Sequence, residues 1–481
     1  MLKDNRFLRF LLIWLLLLVV FIPRFWNFWT VDFTGDEAAH VRKAVSVATG
    51  VRDFIKLDNL QVAFKNIYTP IMEHNHPPLE FLILIPFGLL EPKEYFARLV
   101  YILIGTFALI FSYFFAKNIF GKKTAGYFFI FYGTSAYAIW WAQTAIYINL
   151  AISAGVFITL SIVNFYFKPD RKSLLLLFGS EAFGLLVFHD FIFFLPAVVW
   201  IIWDKRSFLK RTDFTMPVIL FFLTAGVFYL NYIIYAFTVG PKYAGFNYVL
   251  DSKIPAQANI VTNLKGYWRN FFSYPGVVIL LPFSALFLFF SEKHKYYKYF
   301  CSVLLIYIFV FVLKSPTPFH YFSSTYGILL LMAAIGISHM GSRIRPAVIA
   351  IVMLINLLGF WRVFGGIHNP QFIDSFAPNN AEGISKIAKK CVVSDNETYI
   401  SSDDPWKTAY YFGRPSTVER DGTGARIATI GDFLAGRLDE VVLIHVGDNL
   451  ITREEHEKLS LRAHSKFLFD RETVYIFKNC M

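Results

Sequence analysis

Asp32, Asp36, Glu37 and His40 stand together directly after the first apolar run. Carboxylates and an imidazole in one short segment can take a proton from a hydroxyl or hold a sugar or a phosphate. Gly35 precedes the acidic pair, where a helix is expected to begin. Carboxylates in a first turn are stabilised by the backbone dipole, so an N-terminal cap with charged first-turn residues is the structural alternative. Position favours chemistry, because the acids open a long, partly apolar loop at a water–lipid boundary. The second group is His74-Asn75-His76-Pro77-Pro78-Leu79. Pro-Pro fixes the local backbone and presents the preceding side chains in a set direction. His74 and His76 with Asp36 or His40 would make a metal set on paper, but an i, i+2 pair is not a specific zinc spacing. Recognition of a phosphate or sugar is the better reading, and no metal is expected at the site. The third group is Lys314, His320 and Tyr321 within KSPTPFHY. These can donate to an anionic lipid head, or be a snorkelling lysine and interfacial aromatics. His189-Asp190 lies between two apolar runs, where ionisable residues are either functional or mark a turn. Asn149 and Gln143 stand near the start of another apolar run.

The elements that position these residues are membrane spans. Of the 481 residues, 56% are hydrophobic and 17% charged, against about 25% charged in a soluble domain. Lipid can cover that much apolar surface, whereas a soluble core of this length cannot. The net charge of +12 sits in short loops between apolar runs, which is a pattern of membrane orientation and not of a nucleic-acid groove. Spanning helices are expected over 8–29, 95–116, 124–142, 146–167, 173–188, 190–203, 214–237, 274–290, 297–313, 319–338 and 345–364, about eleven in all. The run 10–22 follows Lys3, Arg6 and Arg9 but lacks a small-residue cleavage site, so it reads as an uncleaved span.

With a cytoplasmic N-terminus, each short inner loop is basic: Lys117, Lys122 and Lys123; Lys168, Arg171 and Lys172; Lys205, Arg206, Lys210 and Arg211; Lys293, Lys295 and Lys298; Arg343 and Arg345. The positive-inside rule then puts residues 366–481 outside. The apolar stretch 79–90 is too short to span and would invert the later loops, so it is expected as an interfacial helix. A second is expected near 35–49, both within one outer loop, 30–94. A further outer loop holds Arg269. The C-terminal segment alternates strand-like runs at 397–401, 440–446, 464–469 and 473–478 with helical patterns at 380–391, 405–412, 427–437 and 452–462. This is the signature of a small α/β domain. The chain is therefore expected as an α-helical polytopic membrane domain, 1–365, followed by an extracytoplasmic domain, 366–481.

These residues resemble a known family. Arg24-Phe25-Trp26 ends the first span, Asp36-Glu37-Ala38 opens the first outer loop, and His76-Pro77-Pro78-Leu79 follows. Arg98 stands near the start of the next span, His320-Tyr321 comes late on the outer side, and Tyr410-Tyr411-Phe412-Gly413-Arg414-Pro415 lies in the C-terminal segment. Their order is similar to that of the integral-membrane glycosyltransferases of the GT-C fold. The matching branch groups dolichyl-phosphate-mannose protein mannosyltransferases with bacterial aminoarabinose transferases of lipid A. The resemblance implies an outward-facing site, a polyprenyl- or dolichyl-phosphate monosaccharide donor, and Asp36 as the catalytic carboxylate beside Glu37. It puts His76 where lipid A transferases carry a lysine near the donor phosphate. Asn149 falls near a second acidic position of several members, where an amide cannot serve as a base. Ala38 and Ala39 occupy the place of an arginine that follows the acidic pair, and His40 or Arg42 is expected to substitute.

The expected activity is inverting transfer of a monosaccharide at the outer face of the plasma membrane to a lipid, glycan or protein acceptor. His76, Arg98, Arg269, Lys314, His320 and Tyr321 are candidates for the donor phosphate. His40, His74, Asn149, His189 and Asp190 are candidate substrate contacts. No cofactor is expected, with a divalent metal left open, and no Gly-rich phosphate loop suggests a nucleotide-sugar. Partners are the lipid donor, the acceptor and membrane lipids, without nucleic acid. The rival class is a transporter or lipid flippase, which would place its ionisable residues nearer the bilayer midplane and show repeats. Cys391 and Cys480 both fall in the outer segment, where a disulfide can form.

Overall fold

The first apolar run folds as helix α1, Arg6–Phe21, and stops where Pro23 enters a 3-10 turn, Ile22–Phe25. Proline supplies no N–H for a further α-helical turn. The structure, a computed structural model, describes residues 6–26, 28, 35–72, 77–90, 94–239, 265, 280–289, 295–313, 322–364, 381–391, 398–401, 430, 433–436, 441–447, 452–469 and 472–478. The chain divides into two compact units.

The first unit comprises Met1–Trp26, Ala44–Glu91 and Ala97–Ile367. It departs from the sequence reading in the first loop. The helix expected over 35–49 is α2, Gly35–Ile55, and an unanticipated helix α3, Leu60–Met72, follows it. The interfacial helix expected over 79–90 is two short turns, α4 (Leu79–Leu82) and α5 (Ile85–Gly88). Pro86 lacks the N–H that would continue α4, so the run breaks before it. Gly88 rests against Ala44 and Ala48 of α2, and a Cβ on it would fall 2.9 Å from the Ala44 carbonyl oxygen.

Residues 94–134 form α6, Glu94–Thr134, which turns at Gly121 with φ +81°. Only glycine adopts that backbone without strain, and it falls in the basic Lys117–Lys123 turn. The span expected over 124–142 is interrupted, because extended Ser135 caps a separate helix, α7 (Ala136–Ala142), by accepting from the Ala138 N–H. Helices α8 (Tyr147–Phe167), α9 (Arg171–Val187) and α10 (Leu195–Lys205) follow, with a 3-10 turn, His189–Phe194, between the last two. Helices α11 (Arg211–Phe221) and α12 (Val227–Val239) are joined through a π-helical turn, Phe222–Gly226. The remaining bundle helices are Leu280–Phe289, Tyr297–Leu313, Tyr326–Ser338 and Arg345–Phe364. Among the described residues, 94–134, 147–167 and 212–235 are long and apolar enough to cross a membrane, and shorter apolar helices accompany them. The chain is an integral membrane protein.

Small residues set the tightest crossing. A Cβ on Gly155 of α8 would stand 2.0 Å from the Ser324 carbonyl oxygen, and one on Gly327 would stand 2.6 Å from the Gly155 carbonyl. Backbone meets backbone there, as at small-residue contacts in membrane bundles. Gly155→Ala is expected to destabilise by about 1–3 kcal/mol through overpacking. Thermal melts of the purified chain check this, and an unchanged melting temperature would show that the helices separate freely.

At the opposite end of the same bundle, Lys298 donates to Asp204, which also accepts from the Tyr299 hydroxyl at 2.8 Å. The Lys298 hydrogen bond holds the Asp204 carboxyl below its ordinary range.

The second unit comprises Asn27–Lys43, Pro92–Phe96 and His368–Met481. The boundary runs through α2 after Lys43, so the acidic start of that helix groups with the C-terminal segment. Strands β1 (Thr398–Ser401), β2 (Val441–Gly447), β3 (Ser465–Phe469) and β4 (Glu472–Ile476) make one sheet in the order β1-β2-β4-β3. The β1/β2 pair is parallel and the other two are antiparallel. Leu443, Val474 and Ile476 pack under helix Ala381–Cys391, while Ile444, Val446 and Tyr475 pack with Leu459 of helix Arg453–Arg462. Covering both faces explains why β2 is apolar without alternation from Val441 to Ile444. A Thr452–Glu455 capping box starts the second of these helices. The helices expected over 405–412 and most of 427–437 lie outside the described residues. Cys391 is disulfide-bonded and Cys301 is free; the remaining cysteine, Cys480, lies outside the described residues.

Candidate functional site

Two buried polar side chains fix the point where the chain leaves the first span. The Arg24 guanidinium donates to the carbonyls of Val20 (2.8 Å), Gly133 (2.6 Å) and Tyr132 (3.3 Å). The Gln143 side-chain amide donates to the carbonyls of Pro23 (2.8 Å), Arg24 (3.1 Å) and Trp26 (2.9 Å). The Arg-aromatic element that ends the first span is therefore a structural lock.

Glu80, next to Pro77-Pro78-Leu79, ties the proline element to the bundle. Its carboxylate accepts the Tyr147 N–H at the start of α8 (3.1 Å), where the helix dipole favours an anion. Its backbone carbonyl accepts from the Tyr101 hydroxyl. Asn149, in the first turn of α8, donates to the Tyr101 carbonyl (2.7 Å). Arg98 is buried in α6.

Tyr147 stacks on Phe188, with ring centroids 4.7 Å apart. This joins the proline element to the His189-Asp190 turn. The Tyr229 hydroxyl of α12 donates to the Leu185 carbonyl (2.9 Å) and lies 3.0 Å from His189 Nδ1. With its one proton committed, the Tyr229 oxygen accepts, so His189 carries the proton on Nδ1. Asp190 accepts from the Tyr307 hydroxyl (3.0 Å). Tyr307 packs on Phe322, 5.4 Å between centroids. Met72, Tyr232 and Tyr235 form one buried cluster with Tyr68, and Tyr232 lies 5.8 Å from the His189 ring.

Sequence-distant elements thus meet at one end of the bundle, the end away from Gly121. Among them are Met72 and Pro77, which flank His74 and His76, and Leu313 and Phe322, which flank Lys314, His320 and Tyr321. Those five candidates and Arg269 lie outside the described residues. His189 and Asp190 are brought together with tyrosines that sequence reasoning did not single out. Arg98 and Asn149 are buried in the bundle, Asn149 in a structural hydrogen bond. In the second unit, Asp36 lies in the first turn of α2, and Glu37 and His40 are buried there. Among the described residues, no group of three His, Cys, Asp or Glu is placed to hold a metal ion.

Glu80 and Gln143 carry much of this geometry. Glu80 left one signal, a lone charge inside an apolar run. Gln143 left little, since a neutral amide near a span end is common.

No protein-family model matches the sequence, and no curated protein matches it. Solved structures do. ArnT from Cupriavidus metallidurans bound to undecaprenyl phosphate superposes with a TM-score of 0.62 over 98% of each chain, at 12% identity. The chain has the fold of ArnT. The same protein in its apo state gives a TM-score of 0.61 over 97% of each chain, again at 12% identity. The ArnT fold is the GT-C fold that the ordered motifs anticipate, a helical bundle with a small strand-bearing C-terminal region.

Proposed function

We propose that the chain is an inverting glycosyltransferase that moves a monosaccharide from a polyprenyl-phosphate donor to an acceptor at the outer face of the membrane. One observation carries this reading: in a chain with the fold of a protein captured with undecaprenyl phosphate, the proline element, the His189-Asp190 turn and the flanks of 314–321 converge at one bundle end. The lysines and arginines of the basic turns support a cytoplasmic placement for the opposite end. The disulfide at Cys391 supports an oxidising, extracytoplasmic location for the C-terminal domain.

In this mechanism the acceptor hydroxyl oxygen bonds to the anomeric carbon while the carbon–oxygen bond to the phosphate breaks. Asp36 takes the hydroxyl proton, and the polyprenyl phosphate leaves with one more negative charge. His76, Arg98, Arg269, Lys314, His320 and Tyr321 supply the charge and hydrogen bonds that the leaving phosphate gains. A single displacement inverts the anomeric centre. Loop 30–94 shields the site from water. Neither metal nor organic cofactor enters this scheme.

Purified protein incubated with labelled undecaprenyl-phosphate mannose or arabinose is expected to bind the lipid and to release or transfer the sugar. Failure to bind or turn over either lipid, in protein that melts cooperatively, would remove the reading.

A further inference from the structure

Glu181 is a carboxyl group enclosed within a membrane bundle. It lies on α9, six residues before the helix ends at Val187, or about 9 Å below that end. It is 0% exposed, and neither carboxyl oxygen has a hydrogen-bond partner among the described residues. Burying a carboxyl without partners costs free energy. An intramembrane acid of this kind is a binding-site candidate by default.

Its surroundings say what would bind. One turn above, the Leu185 carbonyl holds the Tyr229 hydroxyl, which interacts electrostatically with Glu181 and Asp190 and links onward to His189. Asp190 reaches Tyr307. His189 and Asp190 are partly exposed at the end of this helix, and Glu181 is enclosed below them. Two carboxyls repel a phosphate but accept hydrogen bonds from hydroxyls. Tyr229, Tyr232 and Tyr307 gather around His189 and Asp190, and aromatic rings with a few placed polar groups are the usual make-up of a small-ligand site. The π-helical turn Phe222–Gly226 packs against α9. Such turns are frequent at functional sites in helices.

We propose that Glu181, with His189 and Asp190 above it, is the subsite for the donor's monosaccharide, the Glu181 carboxyl accepting from sugar hydroxyls. This rests on the lipid-linked donor reading and adds where the sugar is read.

The test is thermal melting and binding of the full chain in detergent with undecaprenyl phosphate, undecaprenyl-phosphate mannose and undecaprenyl-phosphate arabinose. Wild type is expected to bind one of the sugar lipids at least tenfold more tightly than undecaprenyl phosphate. Glu181→Leu is expected to melt at or above wild type, because an unpartnered carboxyl has gone. It should keep its affinity for undecaprenyl phosphate and lose the tenfold preference. Glu181→Gln, which keeps the shape, should lose part of that preference. A sugar preference retained in Glu181→Leu overturns the subsite. So does a lower melting temperature in both variants, which would mean the carboxyl is structurally paired. Wild type that binds undecaprenyl phosphate but prefers neither sugar lipid also overturns it. Wild type that binds none of the three lipids overturns the donor reading itself, and the subsite with it.

Discussion

Asp36→Asn is expected to lower sugar transfer about a thousandfold, the loss typical of removing a general base, while the chain still inserts and melts within a few degrees of wild type. The substitution keeps volume and hydrogen-bonding shape. The residue follows Gly35 in the first turn of α2, so losing its charge costs about 0.3–1 kcal/mol of helix-dipole interaction. An amide cannot take the acceptor proton, so the chemical step alone suffers. The neighbouring Glu37 separates two roles. It is fully buried at the start of α2, where replacing a carboxylate by an amide alters the hydrogen bonding that holds the helix start. Glu37→Gln is therefore expected to act through stability and to leave a larger share of turnover per folded molecule. Single-turnover transfer from undecaprenyl-phosphate sugar, normalised to the cooperatively melting fraction, measures both. An Asp36→Asn enzyme within about threefold of wild type, far short of the loss a base requires, would remove Asp36 from the chemistry.

The reach of sequence reasoning followed how local the governing physics was. The four strands of the C-terminal sheet lie within a few residues of their expected positions, because alternation and short apolar runs between turn residues are local signals. Long apolar runs gave α8 and the helix Tyr297–Leu313 nearly to the residue. Where a single residue overrides a run, the reading failed: Pro86 breaks 79–90 into two turns, and Ser135 divides the segment expected over 124–142. Helix α3 has a mixed composition, Pro70 within it, and stability drawn from Tyr232 and Tyr235, far away in sequence. The site shows the same division. Asp36 and His76 stand out in the sequence as candidates, by residue type and order. The Glu80 bond to the Tyr147 N–H and the Tyr229 link between Leu185 and His189 do not, since each joins residues distant in sequence that no spacing rule connects.

Arg24→Met tests whether that order has a structural cause. Arg24 donates to Val20, near the C-terminus of α1, and to Tyr132 and Gly133, in the last turn of α6. The last carbonyls of a helix have no partner within it, and a cation at that end is also favoured by the dipole. One guanidinium therefore serves two helix ends, whose contact is close enough that a Cβ on Gly133 would come within 2.8 Å of Val20. Methionine fills the volume and leaves these buried carbonyls unsatisfied, a loss of about 3 kcal/mol by the usual cost of buried hydrogen bonds to a charged group. Arg24→Lys keeps the charge but not the planar fork, and should fall between. Gln143→Leu removes neutral hydrogen bonds to the same turn and should cost less than Arg24→Met. Thermal and denaturant melts rank the three. If Arg24→Met melts as wild type, the end of the first span is held by something other than this lock. If it melts lower and the folded fraction also turns over more slowly, the lock positions the loop that carries Asp36 as well as holding the bundle together.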